Sequence, residues 1–328
     1  MLLKYISVVF LGFVAGIVFL ALLRKIALKY NLLVFKGIPL IGGVSIGLSF
    51  MITCLAIHFS LRDLSQQALG IIISSFIMLI LGIIDDLREL SIPAKFFVQI
   101  IATSLLIISG TRTHIVYIGN VLNIIITFIW VIGITNAFNL LDIMDGLAGG
   151  IAVIVAIAFS VISFLNGDIN TLVLTLALLG ALFSFLRFNL PPAKVYMGNS
   201  GSHFLGFFLA AVSLEISYAS LNTKIALLSP LLILGFPIFD TAFLVLMRLF
   251  KKRLPFKKSN DHVALRLLAS GYSKRKVLLI MLSLGLFFSA CGVVTSQVSS
   301  LLDAVIIALV IIVSLGLAKK MSKMPVYD

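Results

Sequence analysis

Long apolar runs, repeated from one end of the chain to the other, constrain this sequence more than any other feature. A helix that crosses a bilayer needs ~20 mostly apolar residues. Eleven stretches approach that length: 3–23, 41–59, 68–84, 96–109, 120–138, 147–165, 170–186, 203–218, 225–248, 277–297 and 300–318. The fourth is short and is expected to extend into its polar flanks. Of the 328 residues, 61% are hydrophobic and 11% charged, against ~45–50% and ~25% in soluble domains. A water-soluble fold of this length cannot bury so much apolar surface. A soluble enzyme, a disordered chain and a nucleic-acid-binding domain are therefore excluded. The first run is too long for a signal peptide, and no small-residue cleavage site follows it. Cys54 and Cys291 both lie in apolar runs, so neither a disulfide framework nor a metal-ligand spacing is present. Connections are short and no internal repeat is visible. The expected fold is all-α, a single integral-membrane domain over 1–328 with about eleven transmembrane helices.

Charge sets the orientation. The net charge is +13. Of the 25 Lys and Arg residues, 21 fall in the connections after odd-numbered runs, and ten of these lie in 248–276. The positive-inside rule makes that side cytoplasmic, with the N-terminus outside and the C-terminus inside. Asp85, Asp86, Glu89, Asp142, Asp145 and Asp261 fall on the same side.

Three segments on that side carry unusual polar chemistry. In the first, Asp85 and Asp86 emerge together where the third run ends. This pattern suits a solvated helix end, or a hard divalent cation held by carboxylates and substrate phosphates. In the second, Asn136, Asn139, Asp142 and Asp145 recur every three residues. Such steps spiral around an α-helix, although a 3₁₀ end would align them. A capped helix end needs one or two polar residues, not four. The third is Phe188-Asn-Leu-Pro-Pro-Ala-Lys-Val-Tyr-Met-Gly-Asn-Ser-Gly-Ser202. Its prolines stop one helix, Ser200 or Ser202 is expected to cap the next, and a helix N-terminus suits a phosphate. Tyr196 offers an aromatic face for a base, and interfacial tyrosines are also common. A basic loop at about 249–276 follows. It satisfies the positive-inside rule and suits anionic lipid. Within it, Asp261 to Gly271 reads as a short amphipathic helix that places His262 and Arg266 on one face.

These residues resemble the polyprenyl-phosphate N-acetylhexosamine-1-phosphate transferase family, glycosyltransferase family 4. The likeness is closest to the undecaprenyl-phosphate α-N-acetylglucosaminyl 1-phosphate transferase branch. It runs from about Lys36 to Arg266 through ordered motifs: Lys36-Gly-Ile-Pro-Leu-Ile-Gly-Gly43, Asp85-Asp86, Lys95-Phe-Phe-Val-Gln99, Asn136 to Leu147, Phe188 to Ser202, and Gly235-Phe-Pro-Ile-Phe-Asp240. The resemblance implies transfer of a sugar 1-phosphate from a UDP-amino sugar to a membrane polyprenyl phosphate, with release of UMP. It implies Mg²⁺, with Mn²⁺ as a substitute, on Asp85, Asp86, Asp142 and the Asn199 oxygen. Asp85, Asp86, Asp142 and His262 become the catalytic set, with Asp85 or Asp86 as a base. Lys36, Lys95 and Arg266 would stand near the phosphates, Asn139 would face the diphosphate and metal, and Asn136 would join the substrate-binding residues. Asp145, Asn189 and Tyr196 would hold uridine. The chain departs from the family where Asn199 replaces an Asp, where Ile143 replaces a Gly, and where Ala264 and Leu265 replace histidines. The expected partners are the two substrates and membrane lipid, with no nucleic acid; a homodimer is left open, as are the sugar and the lipid length. A bacterial plasma membrane follows from the family branch.

Two other classes compete with transfer. Transporters place ionisable residues and broken helices near mid-membrane, whereas here the rich clusters sit at the cytoplasmic ends. A non-catalytic or divergent-donor family member would explain Asn199 and the missing histidines. Mg²⁺-dependent UMP release separates all three.

Overall fold

The computed structural model describes residues 2–61, 64–115, 118–216, 228–252, 261–297 and 300–326. The chain divides into two compact units, Met1–Ser217 and Tyr218–Asp328.

The first unit contains α1 (Leu2–Tyr30), a hairpin of β1 (Val34–Phe35) and β2 (Ile38–Pro39), α2 (Gly42–Leu61), α3 (Gln66–Leu87), α4 (Ile92–Ile108), α5 (Gly119–Leu141), α6 (Leu147–Leu165), α7 (Ile169–Asn189) and α8 (Gly198–Glu215). Each apolar run of this unit becomes a helix. Local sequence marks several starts: Ser65, Ser91 and Asp168 accept from backbone N–H groups in the first turns of α3, α4 and α7, the usual N-cap chemistry. The fourth run extends back to Ile92, as its polar flank suggested. Three ends shift in ways that matter for chemistry. α3 runs to Leu87 and α5 to Leu141, so Asp86, Asn136 and Asn139 are helical. α8 begins at Gly198, five residues before the expected 203. Ser200 and Ser202 therefore lie inside the helix rather than at its cap.

α8 is the buried axis of this unit. Phe204, Leu205, Phe207, Phe208, Leu209, Ala210, Ala211 and Val212 are all buried. A helix that is apolar all round belongs inside a bundle or a membrane, and α2, α3, α5 and α6 pack around this one. By contrast α1 exposes Leu3, Ile6, Phe10, Val18 and Leu22, which suits lipid contact.

The second unit contains α9 (Ser229–Ile233), α10 (Gly235–Phe250), α11 (Val263–Ala269), α12 (Lys274–Thr295) and α13 (Ser300–Ser322). The expected run 225–248 is broken between α9 and α10. Pro237 causes the break, because its ring clashes with the carbonyl four residues earlier and it donates no N–H. That carbonyl, on Ile233, accepts instead from Ser289 Oγ at 3.0 Å. The short helix expected after Asp261 is present as α11, with His262 at its N-cap and Gly271 at φ +87° beyond its end. Residues 253–260, the centre of the basic loop, lie outside the described residues.

Eight of the described helices are long and apolar enough to cross a membrane, and α4 is a shorter apolar helix. The protein is all-α and polytopic. The two-residue strands are the only β-structure among the described residues.

Candidate functional site

The site is built around a helix N-terminus that its own residues do not cap. Met197 holds the N-cap position of α8 without a side-chain hydrogen bond. The cap comes from α3. Asp86 Oδ1 accepts from Asn199 N at 2.7 Å, and Asp86 Oδ2 accepts from Ser200 N at 2.9 Å. A carboxylate here satisfies orphan N–H groups and meets the positive end of the helix dipole. The contact requires a close backbone approach. A Cβ on Gly82 would overlap the backbone of Asn199 and Ser200, and one on Gly43 would overlap Gly201. Gly42 N and Gly43 N donate to Tyr196 O and Met197 O, both at 2.9 Å, while Tyr196 N donates to Pro39 O at 2.9 Å. The hairpin and the start of α2 thus fix the loop that precedes α8. Tyr196 is half-buried in that loop. Lys36 sits exposed in the hairpin turn, its ammonium 5.4 Å from the Phe35 ring centre.

The end of α5 meets the same helix. Asn139 Nδ2 donates to Asn199 Oδ1 at 3.0 Å and to Ser202 Oγ at 2.9 Å. Asp142 is the C-cap of α5. Burial pushes its carboxyl up to about 7, and the charges of Asp86 and Asp145 push the same way. Asp142 therefore feels the charge of both Asp86 and Asp145, which is where a cation is most useful. Asn199 presents its amide oxygen to Asn139 at the start of α8. Asp145 Oδ2 accepts from Ala193 N at 3.2 Å.

Three expected ligands turn out to be engaged in holding the protein together. Asn189, expected to hold uridine, is buried, and both ends of its amide are bound: Oδ1 accepts from Gly146 N and Nδ2 donates to Val195 O, each at 2.9 Å. It clamps the turn after α5 to the loop before α8. Asn136, expected among the substrate-binding residues, points to α4, where its Nδ2 donates to Gln99 Oε1 at 3.0 Å. Asn136 and Asn139 thus face different helices, as a three-residue spiral requires. Asp85, expected on the metal, is buried, with Lys95 Nζ 2.6 Å from its Oδ2 and Leu90 N donating to its Oδ1 at 2.8 Å.

The two expected residues of the second unit form their own network. His262 Nδ1 lies 3.2 Å from Asp240 Oδ2, and Val263 N donates to Asp240 Oδ1 at 3.2 Å. Asp240 thereby orients the ring and the start of α11. Arg266, expected to meet phosphate, is 2% exposed. Its guanidinium donates to Asp261 Oδ1 at 2.7 Å, to Met321 O at 3.1 Å and to Met324 O at 2.9 Å. It closes the carbonyl end of α13 instead. Replacing it by Met should leave Asp261 with Lys251 alone and destabilise the protein by about 3 kcal/mol, the scale of a broken buried ion pair. Thermal unfolding in detergent checks this, and an unchanged midpoint contradicts it.

Among the described residues, no three His, Cys, Asp or Glu side chains stand close enough to hold a metal ion by themselves. The available donors are two carboxylates, Asp86 and Asp142, with one amide oxygen. That set suits a hard cation that completes its shell with water and phosphate oxygens. Both Asp86 oxygens keep lone pairs beyond their hydrogen bonds. Sequence reasoning named Asp86, Asn139, Asp142 and Asn199, and the structure brings them together around the start of α8. It did not single out His203, one turn into α8 and 1% exposed; the available signal was an ionisable residue at the head of an apolar run.

Such a bundle, with carboxylates and amides gathered at the start of one helix, belongs to a known class of membrane enzymes. Residues 68–217 match the model of glycosyl transferase family 4. The chain is 32% identical over 285 residues to a probable undecaprenyl-phosphate N-acetylglucosaminyl 1-phosphate transferase of Bacillus subtilis, covering 84% of this chain and 78% of that one. It is 31% identical to the undecaprenyl-phosphate α-N-acetylglucosaminyl 1-phosphate transferase of Thermotoga maritima, covering 78% and 77%. It is 30% identical to the decaprenyl-phosphate N-acetylglucosaminephosphotransferase of Mycolicibacterium smegmatis, covering 76% and 70%. The chain belongs to glycosyl transferase family 4.

Proposed function

We propose that this protein transfers an N-acetylhexosamine 1-phosphate from a UDP-sugar to polyprenyl phosphate, with undecaprenyl phosphate as the natural acceptor. UMP is released, and the product begins a cell-envelope polysaccharide. The observation that carries this is the carboxylate-rich cluster of Asp86, Asp142 and Asp145 beside the N-terminus of α8, in a chain whose relatives are named for this transfer. Placement in the plasma membrane follows from the family branch, the eleven spans from the apolar runs, and an N-terminus outside with the site facing the cytoplasm from the charge pattern of the connections.

In this reaction a lipid phosphate oxygen attacks the β-phosphorus of the nucleotide sugar, and the bond to the α-phosphate oxygen breaks. Two anions must meet, so positive charge governs the barrier. Asp86, Asp142 and the Asn199 oxygen would hold Mg²⁺ or Mn²⁺, which when bound screens the diphosphate and stabilises charge on the transferring phosphoryl group. Asn139 fixes Asn199 for that role. Lys95 supplies a cation from α4. Lys36 stands on the hairpin as a second cation. Asp145 and Tyr196 remain positioned for a nucleoside along the loop before α8. The nucleophile is already ionised at neutral pH, so no base is needed, and Asp85 serves Lys95 instead. His262 keeps a role in transfer by its match to the family motif.

The test is UMP release by the purified protein in detergent with undecaprenyl phosphate and a panel of UDP-sugars. Release is expected with a UDP-N-acetylhexosamine and Mg²⁺. EDTA should abolish it, and Mg²⁺ or Mn²⁺ should restore it. Undiminished release in EDTA sinks the metal assignment. No release from any donor sinks transfer itself.

A further inference from the structure

His203 is a buried ionisable side chain of the first unit that the transfer reaction leaves unused. It is 1% exposed, and neither ring nitrogen has a hydrogen-bond partner. Orphaned buried polar groups are costly and rare enough that each needs a reason. The charged groups that act on this ring are Lys95 and Asp85. α3 ends where α8 begins, as the Asp86 cap shows, so the packed helices run antiparallel. Helical side chains lean toward the N-terminus of their own helix. Asp85 on α3 and His203 on α8 therefore lean toward each other.

The Lys95–Asp85 pair is unequal. The Lys95 side chain is 22% exposed and that of Asp85 is 0%. Asp85 Oδ2 has Lys95 as its sole partner among the described residues. Transfer asks Lys95 to turn toward phosphate. A buried carboxylate abandoned by its cation would then be left uncompensated, at a cost that keeps the lysine in place.

We propose that His203 is a positioning residue that takes over Asp85 by donating a ring N–H to its carboxylate, thereby releasing Lys95 to bind a substrate phosphate. The proposal rests on the transfer reading and adds a partner exchange to it. Without the exchange, Lys95 stays locked to Asp85 and the phosphate subsite loses its cation.

Two experiments decide it. In the first, His203→Leu, similar in volume and without a donor, lowers kcat/KM for undecaprenyl phosphate by about tenfold, as expected for one missing hydrogen bond to a buried charge. His203→Gln, which keeps a donor, recovers most of that loss. Unfolding temperatures stay at the wild-type value or rise, since an orphaned polar group has gone. In an Asp85→Asn background, His203→Leu has no further effect, because no carboxylate remains to be held. Equal kinetics for His203→Leu and wild type overturn the proposal, as do losses that simply add in the double variant. The second experiment needs no turnover. Histidine ¹⁵N spectra are compared for wild type and Lys95→Met, assigned by the loss of one signal in His203→Leu. The His203 ring resonances should move to hydrogen-bonded values when Lys95 is removed, and identical spectra overturn the proposal. A wild-type protein that releases no UMP defeats the transfer reading alone, and the spectra still decide the exchange.

Discussion

Asp142→Asn is expected to lower UMP release by about 10³-fold without destabilising the protein. Mutagenesis of single groups that stabilise transition-state charge gives losses of ~10²–10³ in kcat, and here the lost group also holds the cation. The stability half of the prediction follows from surroundings. Asp142 is C-cap to α5 and its side chain makes no hydrogen bond among the described residues that the variant would break, while Asp86 and Asp145 oppose its charge. Its carboxyl is raised from 3.8 to about 7 in the folded chain. A raised acid costs stability wherever the unfolded chain has already lost the proton and the folded chain resists losing it. The cost therefore grows as pH rises from about 4 to 7. With EDTA at pH 8, the Asn variant should unfold at a higher temperature than wild type, and the difference should vanish near pH 4. A variant that melts earlier than wild type in EDTA would show that Asp142 is a structural residue. A variant that keeps its turnover would remove it from the site.

The transmembrane pattern was legible because burial in lipid leaves a direct mark on composition. The helices lie where the apolar runs lie, and α6 matches its run 147–165 at both ends. Boundaries near the site were less legible because polar residues continue helices there. Asn139 lies past the expected end of its run at 138, but it has a partner on another helix, Asn199, as Asn136 has in Gln99, and such partners hold the helix onward. The start of α8 was hidden for a related reason. Ser200 and Ser202 look like caps, yet the cap is Asp86, more than a hundred residues away. No local rule reports a long-range cap. The surroundings of Arg266 were hidden differently. Residue type and spacing suggest phosphate, and only the position of the α13 carbonyls shows that its donors are taken. The break before α10, by contrast, was readable at Pro237, whose ring forbids a continuous helix. Asp142 stood out in the sequence because an acid at the end of an apolar helix has few structural uses.

Asp86→Asn is expected to cost both stability and activity, which separates this acid from Asp142. Both of its oxygens accept backbone N–H groups of α8. An amide presents one acceptor and one donor, so one N–H of the first turn would face another N–H. The charge that complements the helix dipole would also vanish. A lost cap costs ~0.5–2 kcal/mol, and an orphaned buried donor costs ~1–3 kcal/mol, so a loss of about 3 kcal/mol follows. The first turn of α8 carries Asn199, whose oxygen is held by Asn139. Loosening that turn displaces a metal donor as well as removing one, and UMP release should fall at least as far as in Asp142→Asn. Asp86→Glu tests geometry with charge retained. Gly82 and Gly43 already bring backbone against backbone, so the extra methylene has no room to keep both hydrogen bonds, and both losses should persist in reduced form. Thermal unfolding in EDTA isolates the cap from the cation. Wild-type unfolding of Asp86→Asn under that condition would show that α8 holds its first turn without help, and the site would lose the element on which Asn199 is mounted.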